Sequence, residues 1–157
     1  MKYLISFLFL ALAFSMKSEA KVTLPSILGD NMVLQQQAEV KLWGKARPNA
    51  TVTVKTSWNG QTYKFSSDGK GGWSLTVSTP VAGGPYKIIF NDGELLTLQN
   101  VLIGEVWFCS GQSNMEMPVK GFRGQPVYGS QPYIVSANPK RPLRLYTVKN
   151  NWSTTLK

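Results

Sequence analysis

Hydrophobic and polar residues alternate in short segments between 21 and about 104, and this period of two predicts β-strands. Turn-forming stretches rich in Gly, Pro, Asn and Asp separate the segments and leave no room for a helix. The predicted strands run over 40–43, 52–58, 73–77, 86–90 and 95–102, and the turns over 46–49, 67–72, 82–85 and 91–93. This spacing predicts a small β-sandwich domain over 21–104, Ig-like or jelly-roll-like.

One pair of strands carries a hairpin signal of its own. Asn59-Gly60 stands between two alternating runs, and this dipeptide favours a two-residue turn. Such a turn predicts that Val54 faces Phe65 and Thr56 faces Tyr63, which places the large apolar side chains on one side of the ribbon.

Four of the large aromatic residues in the alternating part of the chain have two possible roles. Most of them occupy the phase that points inward, so packing in the core is the favoured interpretation. A platform that stacks against sugar rings is the alternative. The four residues are Trp43, Trp58, Tyr63 and Trp73.

The pattern changes at Glu105, where a compact apolar run over 106–109 predicts a buried strand that ends abruptly at a polar turn. Strands of α/β folds present nucleophiles and ligand-binding groups at such turns, so Ser113 is a candidate nucleophile. Frequent Pro and Gly residues exclude a long helix after the turn, and alternation over 143–148 predicts one further strand. We therefore expect 105–157 to be the incomplete first part of an α/β domain, at the front end of a longer protein.

The first 20 residues have the pattern of an export signal. Lys2 is followed by an apolar stretch over 4–14 and by Ser18-Glu19-Ala20 before a cleavage point. Because the apolar stretch is shorter than the roughly 20 residues of a bilayer-spanning helix, we expect a secreted or periplasmic protein with no membrane segment after cleavage. An uncleaved anchor is the alternative interpretation.

The formal net charge of +9 raises the question of nucleic-acid binding. The basic residues are mostly single and interleaved with apolar positions, so a solvated basic face is favoured and no nucleic-acid partner is expected. The carboxylates are scattered and histidine is absent, so no metal site or cofactor is expected. Cys109 is the only cysteine, and a buried apolar role is favoured over a catalytic thiol because no base accompanies it.

Residues 111–115, Gly-Gln-Ser-Asn-Met, differ from the nucleophile elbow of α/β-hydrolases because Met115 stands where that motif has its second glycine. This block and its setting over 102–110 resemble instead the first conserved block of the sialate O-acetylesterase family of SGNH hydrolases. Segments upstream, 24–35, 40–44 and 82–86, resemble the β-domain of that family, and 143–147 resembles its next strand.

The resemblance implies a serine esterase that removes O-acetyl groups from sialic acids or related acetylated carbohydrates. It places Ser113 as the nucleophile, with its backbone N–H as an oxyanion donor, and Gln112 and Asn114 as groups that position substrate or oxyanion. The family's histidine and aspartate have no matching positions here, so this chain alone is expected to be nearly inert. The alternative function is a non-catalytic β-sandwich module for carbohydrate binding or packing. Xylan and pectic acetyl esters remain alternative substrates.

Overall fold

The computed structural model describes residues 22–138 and 140–148. These ranges contain seven β-strands, a 3-10 turn at Ser113–Met115 and one short helix, α1, at Gln131–Val135. The strands are β1 Val33–Gln35, β2 Glu39–Lys45, β3 Thr51–Thr56, β4 Thr62–Ser66, β5 Gly72–Ser78, β6 Gly83–Asn91 and β7 Leu95–Gly104. The prediction of a mainly β chain is confirmed, whereas the predicted export signal at 1–20 lies outside the described residues.

The strands form two sheets, one of five strands in the order β1-β7-β6-β3-β4 and one of two strands, β2 and β5. Every pairing is antiparallel except that of β1 with β7, which is parallel. The parallel pairing brings Gln35, at the end of β1, beside Gly104, at the end of β7. No helix in the described ranges has the length and apolar character needed to cross a membrane.

Both sheets contribute side chains to one hydrophobic core. In β3 the alternation predicted from the sequence is observed, because Val52, Val54 and Thr56 are all fully buried. Trp73 of β5 lies within the same core, with its ring centre 5.7 Å from that of Phe90. The buried hydrophobic residues are Val22, Leu28, Leu34, Leu42, Val52, Val54, Trp73, Val77, Ile88, Phe90, Leu98, Val101 and Ile103.

The predicted register of the hairpin is wrong by two residues, since Val54 faces Tyr63 and not Phe65. The loop is longer than two residues because Asn59 stabilises it from its side chain. The Asn59 Oδ1 atom accepts hydrogen bonds from the Thr56 hydroxyl at 2.6 Å and from the Gln61 N–H at 3.1 Å. A shift of two keeps the same side chains on the inward face, so the buried set is unaffected.

The four aromatic residues do not share one environment. Trp73 is buried, and Trp58 and Tyr63 are half-buried against the core. Trp43 is 42% exposed, which contradicts its predicted core position. Trp43 alternates in β2 with Leu42, whose side chain is fully buried, so the indole falls on the opposite face of the strand.

Three further expectations are corrected by the structure. The segment 106–109 is neither a strand nor buried, since Trp107 and Phe108 are 83% and 89% exposed and Cys109 is also exposed. The segment 143–148 is not a strand either. A strand requires a neighbour to accept and donate its backbone hydrogen bonds, and neither segment has one in the described part of the chain. The turn predicted over 82–85 lies largely within β6, which begins at Gly83.

Candidate active site

The candidate nucleophile lies on a tight turn. Ser113–Met115 forms one turn of 3-10 helix, closed by hydrogen bonds from the Met115 N–H to Gln112 O at 2.9 Å and from the Glu116 N–H to Ser113 O at 3.1 Å. A side chain at position 111 would place its Cβ atom 2.5 Å from Met115 Cγ, so the exposed Met115 side chain would have to move to admit it. The predicted polar turn is therefore present, although no strand leads into it.

Gln112, Ser113 and Asn114 are consecutive and exposed on this turn. The hydrogen bonds within the turn are donated by residues 115, 116 and 117, so the Ser113 N–H is not used there. Gln112 occupies the N-cap position, but its side chain makes no capping hydrogen bond. The structure thus brings together a hydroxyl, a backbone donor and two amide side chains.

A shallow groove of about 330 Å³ adjoins the serine turn. Asn114 contributes to one wall, and the aromatic rings of Tyr128 and Tyr133 contribute to another. Met117, Val127 and Ser130 complete much of the lining. The lining of the groove is mainly apolar, and Asn114 is the residue of the serine turn that contributes to it.

The candidate nucleophile has no imidazole base among these 157 residues, because they contain no histidine. Among the residues described by the structure, no three His, Cys, Asp or Glu side chains come close enough to hold a metal ion. A serine hydroxyl needs a base to accept its proton before it attacks a carbonyl. The arrangement therefore presents one component of an acyl-transfer site.

A polar clamp, formed by Gln35, Gln36 and Glu105, holds the chain where it leaves β7. The Gln35 Nε2 and Gln36 Nε2 atoms donate to the two carboxylate oxygens of Glu105 at 3.1 Å and 2.6 Å. The Gln35 Oε1 atom accepts the Val106 N–H at 2.9 Å, and the Gln36 Oε1 atom accepts the Ala82 N–H at 2.8 Å. No motif or spacing in the sequence indicates this clamp.

A second set of contacts anchors the segment 143–148 to the β-rich part of the chain, residues 22–104. The Arg144 guanidinium donates to Met32 O at 3.1 Å, to Asn100 O and to Asn100 Oδ1 at 3.0 Å. Two residues further on, the hydroxyl groups of Tyr146 and Ser26 lie 2.6 Å apart. The sequence pattern does not distinguish Arg144 from the other basic residues, and these contacts give it specific partners.

We expect the carboxyl of Glu105 to titrate below its ordinary value of 4.5. Hydrogen bonds from Gln36 and then Gln35 favour the charged form and lower its pKa. A lowered folded-state pKa means that this stabilisation is present above the unfolded-state pKa and is lost as the pH falls through the folded-state pKa. Carbon-detected NMR titration of the side chain measures it, and Gln36→Ala should raise the midpoint. A midpoint at or above 4.5 in the unaltered chain contradicts the clamp.

No family model matches the chain. A sialate O-acetylesterase from Homo sapiens is 35% identical over 107 residues, which cover 60% of this chain and 20% of that protein. The corresponding enzyme from Mus musculus is 35% identical over 104 residues, covering 60% of this chain and 19% of the relative. The crystal structure of a carbohydrate acetylesterase from Xanthomonas citri matches with a TM-score of 0.59 at 37% identity, covering 63% of this chain and 23% of that one.

The chain spans about a fifth of the length of the curated relatives that it matches. The similarity nevertheless extends over more than half of the chain and is found in both sequence and structure. It agrees with the resemblance of the motifs at 24–44 and 102–115. Over the matched portion, the chain is a relative of the sialate O-acetylesterases and of a carbohydrate acetylesterase.

Proposed function

We propose that this chain is the serine-bearing part of an esterase that removes O-acetyl groups from sialic acids or related acetylated carbohydrates. The observation that carries the proposal is the similarity to acetylesterases in a chain that presents Ser113 on an exposed turn. Both kinds of relative are named for removing acetyl groups, and one is named for acting on carbohydrates. An acetylated glycan is therefore the proposed substrate.

In the proposed reaction, the Ser113 Oγ atom attacks the acetyl carbonyl while its proton passes to a base. The tetrahedral intermediate carries its negative charge on the former carbonyl oxygen, and the Ser113 N–H, which the turn leaves unused, is a donor for it. The sugar oxygen then leaves and takes up a proton, so that an acetyl-enzyme remains. Water hydrolyses this ester, which releases acetate and restores the serine.

Gln112 and Asn114 are proposed to position the substrate or the oxyanion. Asn114 contributes to the groove beside the turn, where its amide can donate to a ligand oxygen. The base is proposed to be an imidazole supplied from outside these 157 residues, since they include no histidine. Loss of one member of a catalytic triad lowers the rate by on the order of 10⁴-fold, so we propose that this chain is nearly inert alone.

We further propose that 21–104 is an Ig-like or jelly-roll-like β-sandwich domain and that 105–157 begins an SGNH-hydrolase domain. Two sheets that share one core support the first assignment. The change from regular strands to the serine turn after Gly104 supports the boundary. An export signal at 1–20 and a secreted or periplasmic location are proposed from the sequence pattern alone.

Measurement of acetate release tests the esterase function. The protein from the complete reading frame should release acetate from acetylated sialic acid or from another acetylated glycan such as xylan, whereas the 157-residue chain should release almost none. Parallel assays on both glycans identify the sugar. Absence of acetate release by the complete protein from every acetylated sugar and from p-nitrophenyl acetate argues against an esterase.

Exposure of Trp43 favours a second function, carbohydrate binding by the β-rich part. Its indole lies along a groove of about 320 Å³ that Thr23, Leu24 and Pro25 also line. A partly exposed aromatic ring beside a groove suits stacking against a sugar ring. We expect soluble glycans to change the tryptophan fluorescence of the 157-residue chain and Trp43→Ala to abolish the change. Trp107→Ala, which alters another exposed indole, is the control. An unchanged signal in Trp43→Ala excludes this site.

A further inference from the structure

The clamp around Glu105 uses the hydrogen-bonding capacity of both glutamine amides. Each amide nitrogen donates to one carboxylate oxygen, and each amide oxygen accepts a backbone N–H. The two accepted N–H groups belong to Val106, on the way to the serine turn, and to Ala82, just before β6. Three parts of the chain that are distant in sequence are therefore held at one point.

The clamp is itself fixed to the core of the β-rich part. The Thr79 hydroxyl, which is buried, donates to Gln35 O at 2.7 Å. The Gln36 N–H donates to Gly104 O at 2.8 Å, next to the last strand pair of β1 and β7. The backbone of both glutamines is anchored in this way, so their half-buried side chains reach the exposed carboxylate of Glu105 from fixed positions.

We propose that Gln35, Gln36 and Glu105 are positioning residues, which fix the direction in which the chain leaves the β-rich part toward Ser113. The residues between Val106 and the serine turn form neither strand nor helix, and the hydrogen bond from the Val106 N–H to Gln35 ties the start of this segment to the end of β1. The consequence for catalysis rests on the proposed esterase function. The restraint itself is independent of that function.

The clamp depends on which groups donate and which accept hydrogen bonds, so it can be tested by replacing one carboxylate oxygen of Glu105 with an amide nitrogen. In Glu105→Gln, the new amide nitrogen faces the amide nitrogen of Gln35 or Gln36, and two donors cannot bond. Rotating the Gln36 amide repairs that contact but turns its nitrogen toward the Ala82 N–H, which is also a donor. One hydrogen bond is therefore lost in every arrangement.

Exchanging the two side chains restores the network. In the double variant Gln36→Glu with Glu105→Gln, the carboxylate at 36 accepts both the Ala82 N–H and the new amide, while Gln35 donates to the amide oxygen at 105. All four hydrogen bonds are then satisfied. The net charge equals that of the unaltered protein, because one substitution adds a negative charge and the other removes one. Gln36→Glu alone places two carboxylates in contact and is expected to open the clamp.

Amide hydrogen exchange on the 157-residue chain measures how well the clamp protects the Val106 and Ala82 N–H groups. Exchange at Val106 and Ala82 should rise up to about tenfold in Glu105→Gln and in Gln36→Glu, and should return to the original rate in the double variant. Glu94→Gln, which removes an exposed carboxylate elsewhere, should leave both rates unchanged. Unchanged exchange in Glu105→Gln, or no recovery in the double variant, overturns the proposal.

The complete protein tests the catalytic consequence. We expect Glu105→Gln to lower kcat several-fold with little change in KM, and the double variant to restore it, because a displaced serine loses orientation rather than substrate affinity. A kcat that stays constant while exchange at Val106 rises overturns the positioning role. If the unaltered complete protein has no esterase activity, the exchange measurements still decide whether the clamp exists, so the two failures are distinguishable.

Discussion

Ser113→Ala in the complete protein should lower kcat/KM for acetyl esters by on the order of 10⁴-fold or more, because in the proposed reaction the Ser113 Oγ atom forms the acetyl-enzyme. Initial rates on p-nitrophenyl acetate and on an acetylated sugar measure the effect. Ser110→Ala is the matched control, since it removes a second exposed serine hydroxyl from the same loop. We expect that variant to retain most of the activity.

Ser113→Ala should leave the fold and its stability unchanged. Ser113 is exposed, and the turn that carries it is closed by backbone hydrogen bonds that alanine preserves. The thermal unfolding midpoint should therefore be the same in Ser113→Ala as in the unaltered protein, which separates lost chemistry from lost structure. Unchanged hydrolysis in Ser113→Ala, or a loss confined to Ser110→Ala, contradicts the assignment of the nucleophile.

The strands of the β-rich part are predictable because their signal is local. Burial on one face of a sheet favours apolar residues at every second position, and Val52 and Val54 follow this rule in both sequence and structure. The hairpin register is less predictable. It depends on whether Asn59 acts as part of a two-residue turn or caps a longer loop, and Asn-Gly is compatible with both.

The predictions of strands at 106–109 and 143–148 were wrong because strand formation depends on contacts with other parts of the chain. An apolar sequence favours a strand only where another strand is available to pair with it, and pairing partners are not encoded in the segment itself. The chain beyond β7 accordingly exposes Trp107 and Phe108 on one segment and Leu143 and Leu145 on the other.

The candidate site was predictable in part. The turn at Ser113 follows from Gly, Ser and Asn in one short polar stretch. The clamp has no comparable signal, because Gln35 and Glu105 are separated by 70 positions and glutamine pairs have no characteristic spacing. Contacts between distant polar side chains become visible only once the parallel pairing of β1 and β7 is known.

Gly44→Ala should lower the free energy of unfolding by about 2–4 kcal/mol. The added methyl group crowds the buried Trp73 ring and the backbone of Thr23, which is hydrogen-bonded to Lys45. The added Cβ atom would overlap the carbonyl oxygen of Thr23 and lie 2.9 Å from Cζ2 of Trp73. Thr23 exchanges two backbone hydrogen bonds of 2.8 Å with Lys45, which hold its carbonyl in place. Trp73 is buried against Phe90 and has little room to rotate.

Either response to Gly44→Ala is costly, because the Thr23 bridge must open or the Trp73 ring must move within a packed core. Urea unfolding of the 157-residue chain measures the change as a lower midpoint at constant slope. Gly69→Ala is the matched control, since its added Cβ atom meets no other atom within 4 Å, and we expect its midpoint to be close to the original. Equal midpoints for the two variants contradict the close approach of Gly44 to Thr23 and Trp73, whereas a loss confined to Gly44→Ala supports it.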